Sequence, residues 1–154
     1  MGEAHSASVL VLVLAACGGG ARTTNRADAC AAYEQAVRSP LLRMGRAADA
    51  FGARVGGGPD AAASASRDLA SRLDEEHGKL AALSSDRPDI ADAHARMLRA
   101  LAGLADSLRF LGSVVERRDE AHRGEARTRF HDAETGWQDA VAAVKRVCPE
   151  TALP

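Results

Sequence analysis

The sequence has few aromatic residues and almost no imbalance of charge. Phe, Trp and Tyr make up 3% of its 154 residues, which is sparse for a protein that stacks bases or sugars on aromatic side chains. Basic residues number 20 and acidic residues 21, so the net charge is −1. Because nucleic acid selects a strongly basic face, this balance argues against a nucleic-acid partner.

Motifs that carry catalysis are also missing. The sequence has no Gly-x-Ser-x-Gly, no His-Glu-x-x-His, no glycine loop followed by Lys-Ser/Thr, and no Cys-x-x-Cys-His for haem attachment. Di-iron bundles use Glu-x-x-His, and here that spacing occurs only with Asp, as Asp74-x-x-His77 and Asp119-x-x-His122. We therefore expect a protein that is not an enzyme and needs no cofactor.

Long apolar runs are absent as well. The run Ser8–Ala16, SVLVLVLAA, is shorter than the roughly 20 apolar residues that span a bilayer. It matches the apolar centre of a secretory signal peptide, although the residues before it include no Lys or Arg. The run ends in Leu14-Ala15-Ala16-Cys17. This sequence resembles the lipobox of bacterial lipoproteins, which is a Leu, two small residues and a Cys.

The lipobox resemblance implies a processing step and a location. Cleavage would occur before Cys17, whose sulfur would carry diacylglycerol and whose new amino group an acyl chain such as palmitate. Residues 1–16 would then be the signal peptide and residues 17–27 the lipidated N-terminus and linker. The protein would lie at the periplasmic or extracellular face of the cell membrane or outer membrane. Gly18, in place of Asp after the Cys, resembles the outer-membrane sorting pattern of two-membrane envelopes.

Four later segments repeat an apolar pattern with alternating spacings of three and four, and we see no strand pattern. The four stripes are Cys30, Tyr33, Val37, Leu41, Met44, Ala48, Phe51 and Val55; Leu69, Leu73, Leu80 and Leu83; Ile90, Met97, Leu101, Leu104, Leu108, Leu111 and Val115; and Ala126, Phe130, Ala133, Trp137, Val141, Val144 and Cys148. Helices packed nearly parallel show this spacing. The sequence predicts an all-α, antiparallel up-down-up-down four-helix bundle over residues 28–149, with a tail at 150–154.

Breaks between the predicted helices fall at residues 56–60, 84–88 and about 119–124. Ser85 or Asp86 is the expected N-cap of the third helix. Pro40 interrupts the first segment, so we expect it to kink that helix or to divide it with Ser39 as a new N-cap. Trp137 falls on the fourth stripe and is expected in the core rather than as a ligand platform.

Two of the three cysteines are expected to form a disulfide. If Cys17 carries lipid, Cys30 at the start of the first helix and Cys148 at the end of the fourth remain. An up-down-up-down bundle brings these two ends together, and exported proteins keep disulfides. Closing so long a loop stabilises the fold by about 4–5 kcal/mol in the chain-entropy treatment.

His77 and His94 form a second candidate pair. They lie at similar distances before and after the turn at 84–87, so antiparallel helices place them at one height. The alternative function is therefore a small metal- or haem-binding bundle using His77 and His94, or a zinc site that adds Cys30 and Cys148. Hydrogen bonding of the histidines to neighbours such as Glu76 is the simpler interpretation. A third hypothesis is that acid loosens this end, since burial and mutual repulsion lower histidine pKa values.

The sequence thus favours an exported, membrane-anchored lipoprotein with a binding or structural role in the cell envelope. Its expected partners are the membrane, through the lipid on Cys17, and an envelope protein or peptide. No residue pattern identifies that partner, and residues 21–154 resemble no family that we recognise.

Overall fold

The computed structural model describes residues 25–152. In that span the chain forms four long helices: α1 (Arg26–Val55), α2 (Pro59–Ala81), α3 (Pro88–Glu116) and α4 (Arg123–Val147). A single turn of 3-10 helix (Glu120–His122) precedes α4, and no strand occurs between residues 25 and 152. The predicted all-α four-helix bundle is confirmed. The predicted signal peptide and Cys17 lie outside the described residues.

Successive helices pack against one another around one core. Along their lengths α1 contacts α2, α2 contacts α3 and α3 contacts α4. Short connections force this antiparallel arrangement, because a chain that turns within a few residues must run back beside itself. Leu80, Met97 and Leu108 are fully buried between the helices. The core cluster of the described residues draws on all four helices, and the Cys30–Cys148 disulfide joins the first helix to the end of the fourth.

The first helix continues through Pro40, so the predicted division of that helix is wrong. α1 is one helix of 30 residues, and Ser39 does not cap a new one. Instead the Ser39 hydroxyl accepts a hydrogen bond from Arg43 Nη1 at 2.5 Å. Proline costs a helix about 3 kcal/mol. Here Pro40 and Leu41 are both buried against the core, and that packing offsets the cost.

The third helix begins later than its capping pattern predicts. Its N-cap is Arg87, not Ser85 or Asp86, and Pro88 is the first helical residue. Proline at this position has no N–H that needs a partner. Asp89 Oδ1 accepts from the Ile90 N–H at 3.1 Å, and the Asp89 carboxylate pairs with the Arg87 guanidinium. Ser85 Oγ accepts from the Arg87 N–H at 3.3 Å and so stabilises the turn before the helix.

Candidate functional site

An apolar cleft opens in the side of the bundle between α1 and α4. Its walls are helix faces that point toward each other: Leu41, Met44, Gly45, Ala48 and Phe51 from α1, and Phe130, Glu134, Trp137 and Val141 from α4. Its floor consists of core leucines: Leu69 and Leu73 of α2, and Leu101 and Leu104 of α3. The cleft has a volume of about 450 Å3. It therefore reaches from solvent to the centre of the bundle.

Contacts join α1 and α4 at two heights of the bundle. At one end the Cys30–Cys148 disulfide joins the two helices, with their Cα atoms 5.4 Å apart. At the other end the rings of Phe51 and Phe130 lie 6.3 Å apart, centroid to centroid. Between these two contacts α1 and α4 do not pack along their lengths as the other neighbouring helices do. The cleft lies between these two contacts: it begins at Leu41, roughly 16 Å along α1 from Cys30, and ends at Phe51 and Phe130.

The cleft exists because the α1 wall is made partly of very small residues. Gly45 and Ala48 lie on that wall, across from the large side chains of Phe130 and Trp137 on α4. A Cβ atom added at Gly45 would meet nothing within 4 Å. Gly45 and Ala48 are both exposed, and Phe130 and Trp137 across from them are half-buried.

The cleft carries a single charge among its lining residues. Glu134, at the exposed edge of α4, is the one ionisable lining residue in the described part of the chain. Arg129, on the same helix as Glu134, contacts other residues. Its guanidinium lies 4.5 Å from the centroid of the Phe110 ring and pairs with Glu125. The site is thus an apolar channel with one carboxylate at its edge.

The sequence analysis placed the aromatic residues of the cleft on the apolar stripes but did not predict that a cleft lies between α1 and α4. Phe51, Phe130 and Trp137 were expected in the core, and the structure packs them half-buried against it while they line the opening. Trp137 therefore packs against the core and also lines the cleft. The available signal was the spacing of Gly45, Ala48 and Gly52 on one face of α1. Small residues three or four apart leave a helix face without bulk.

The predicted disulfide is confirmed. Cys30 and Cys148 are bonded across 118 positions of sequence. Arg26 strengthens the same junction, because its Nε and Nη2 both donate to the Val147 carbonyl, at 3.1 and 2.6 Å. Both sulfurs are used by the bond, so in this structure neither serves as a thiolate for the four-ligand zinc site.

His94 is buried, with a hydrogen bond at each ring nitrogen. Nε2 lies 3.0 Å from the Leu80 carbonyl oxygen, which can only accept, so Nε2 carries a proton. Nδ1 lies 2.9 Å from the Tyr33 hydroxyl and accepts its proton when the ring is neutral. Burial raises the pKa of Tyr33 to about 12. Burial lowers the pKa of His94, and the hydrogen bond to Leu80 opposes this in part.

The expected histidine pair has a different environment from the one predicted. The partners of His94 are Tyr33 and Leu80 rather than Glu76, and His77 is only half-buried. Across residues 25–152, no group of three or more His, Cys, Asp or Glu side chains is arranged to hold a metal ion. A metal or haem bound by His77 and His94 alone stays a prediction.

None of the helices within residues 25–152 is long and apolar enough to cross a membrane. Comparisons with models of known protein families, with curated proteins and with solved structures each found no match to this chain.

Proposed function

We propose that this protein is an exported lipoprotein, held at a membrane surface by lipid on Cys17, that binds an apolar ligand in the cleft between α1 and α4. The lipobox-like Leu14–Cys17 supports the anchor. The Cys30–Cys148 disulfide supports an oxidising compartment, where such bonds persist. The proposed role is binding, without catalysis.

The cleft is the observation that carries this proposal. Small-molecule sites are typically concavities of about 300–1,000 Å3, mostly apolar, with a few polar groups. This cleft, at about 450 Å3 with one charged lining residue, falls in that range. Its walls offer no nucleophile, and its one carboxylate, Glu134, is exposed to solvent. Such a lining supports retention of a ligand rather than chemical change.

Fluorescence of Trp137 tests the binding site directly, because it is the protein's single tryptophan and lines the cleft. The oxidised protein is titrated with the uncharged dye N-phenyl-1-naphthylamine. We expect saturable energy transfer from Trp137 to the dye. Gly45→Leu should abolish it by filling open space.

Gly103→Leu is the matched control, since Gly103 is an exposed helical glycine of α3 that does not line the cleft. The substitution changes helix propensity by the same amount as Gly45→Leu. We expect the Gly103→Leu protein to bind the dye as the wild type does. Equal dye binding by the Gly45→Leu protein, or none by the wild type, would contradict the proposal.

Intact mass of the protein from native membranes tests the anchor. We expect an N-terminal Cys17 with added acyl mass, and two thiols that alkylate only after reduction. An unacylated chain whose thiols alkylate without reduction would overturn both the location and the disulfide.

A further inference from the structure

We propose that the ligand of the cleft is one acyl chain of a membrane lipid whose head group carries an ammonium. This inference rests on the proposed function and narrows it. It commits to a lipid rather than to a peptide helix or a second copy of the chain.

The dimensions of the cleft select a slender occupant. Its α1 wall runs from Leu41 to Phe51, which is about 15 Å at 1.5 Å per residue. Spread over that length, 450 Å3 gives a mean cross-section of about 30 Å2. A helix with its side chains is 10–12 Å wide, so its cross-section is roughly 80–110 Å2. A partner helix is therefore too wide to enter the cleft and would lie across its mouth, whereas a single extended hydrocarbon chain can follow the cleft down to its floor of core leucines.

The charge at the cleft selects the head group. The carboxylate of Glu134 lies at the solvent edge of an otherwise apolar lining. No lining residue is basic, so nothing in the cleft pairs with a carboxylate or phosphate monoester at the end of a chain. An ammonium beside Glu134 is attracted, and a purely anionic head group is repelled.

The short linker after Cys17 keeps the cleft close to a membrane that contains such lipids. Asn25 lies eight positions after Cys17, and a fully extended chain of that length spans at most about 29 Å. Asn25 caps α1 at the disulfide end of the bundle. The nearer end of the cleft, at Leu41, lies about 24 Å farther along α1. A bilayer that holds Cys17 is thus within a few tens of ångströms of the opening.

Quenching of Trp137 by brominated acyl chains is the test. The full lipidated protein is reconstituted in vesicles that contain a small fraction of brominated phosphatidylcholine or of brominated phosphatidylglycerol. We expect stronger quenching by the choline lipid, with an apparent preference of about two- to fivefold, as for an exposed ion pair. Gly45→Leu should remove the quenching.

Two variants isolate the charge. Glu134→Gln should make the two lipids quench equally. Asp139→Asn, which removes an exposed carboxylate from another part of α4 outside the cleft lining, should keep the preference. The two substitutions change the net charge identically, so a difference between them is local to the cleft.

Three results would overturn the inference. One is equal or stronger quenching by phosphatidylglycerol in the wild type, and another is quenching that persists in Gly45→Leu. The third is quenching of a Cys17→Ser protein but not of the full lipidated chain, which would assign the cleft to the protein's own acyl chain. If dye enters the cleft but no brominated lipid quenches Trp137, the lipid assignment fails while the proposed binding function stands.

Discussion

Glu76 and His94 can each carry charge near neutral pH, yet both are buried among apolar residues of the described bundle. Glu76 is held by Arg43, whose Nε and Nη2 donate to its two oxygens at 2.8 and 2.7 Å, and by Lys79. These hydrogen bonds, that of Arg43 foremost, keep the pKa of Glu76 below its ordinary range although burial opposes them. The carboxylate therefore joins α1 to α2 from within an apolar stripe.

His94 should make the stability of the fold depend on pH. Its folded-state pKa lies below the unfolded value of about 6.5 because it is buried. Between those two values the unfolded chain binds the extra proton, so stability is fully present above about pH 6.5 and falls as the pH is lowered. Thermal melts at pH 7.5 and pH 5 should show this loss in the wild type and a smaller one in His94→Leu.

The choice of variant separates titration from hydrogen bonding. His94→Leu leaves the Tyr33 hydroxyl and the Leu80 carbonyl without partners and should cost about 1–3 kcal/mol at pH 7.5. His94→Gln keeps a donor and an acceptor but cannot titrate, so it should cost less and be equally flat with pH. An unchanged pH dependence in both variants would remove His94 as the cause.

The connection between α3 and α4 contains the one residue other than glycine that has a positive φ in the described chain. Arg118 has φ 53°, in the left-handed region where side chains other than Gly pay about 1 kcal/mol or more. Asp119 follows and accepts a hydrogen bond from the His122 N–H at 3.3 Å, which opens the turn into α4. The chain thus reverses direction at the expense of one unfavourable backbone conformation.

Arg118→Gly should relieve that strain. We expect the free energy of unfolding to rise by about 0.5–1 kcal/mol, measured by urea titration. Arg117→Gly is the neighbouring control. Arg117 has an ordinary φ of −81°, so glycine there should lower stability instead. A fall in stability with both substitutions would show that the backbone conformation of Arg118 is not strained.

Periodicity predicted the helices because it reports which face of each segment is apolar. The stripe from Cys30 to Met44 is buried as expected, and topology placed Cys30 beside Cys148. The same stripe could not show how far apart α1 and α4 lie, so the cleft at Gly45 was not predicted. The division of α1 at Pro40 was predicted wrongly for a related reason, since packing of the whole bundle overrides a local helix-breaking tendency.

At the scale of the whole molecule, the disulfide closes a bundle whose first and last helices do not pack along their lengths. α1 and α4 meet at Cys30–Cys148 and again at Phe51 and Phe130, with the cleft between. The covalent end fixes the spacing from which both helices extend. We therefore expect the disulfide to set the width of the cleft as well as the stability of the fold.

Replacing both cysteines by serine should lower the free energy of unfolding by about 2–5 kcal/mol, because the loop it closes is long. Dye transfer from Trp137 should weaken together with stability. The measurements are urea titration and dye titration of oxidised wild type, reduced wild type and the double variant. Reduced wild type and the double variant should agree, and a variant as stable as the oxidised protein would refute the expectation.

The position of the disulfide also has a mechanical consequence. The chain enters α1 and leaves α4 beside the same covalent bond, with only a few described residues outside it at either end. Tension applied between the two chain ends passes through the sulfur atoms and bypasses the helices. While the disulfide is intact, a pull on the two ends extends the segments before Cys30 and after Cys148, but it cannot unfold the chain between these two residues. The bundle and its cleft would keep their shape under such a load.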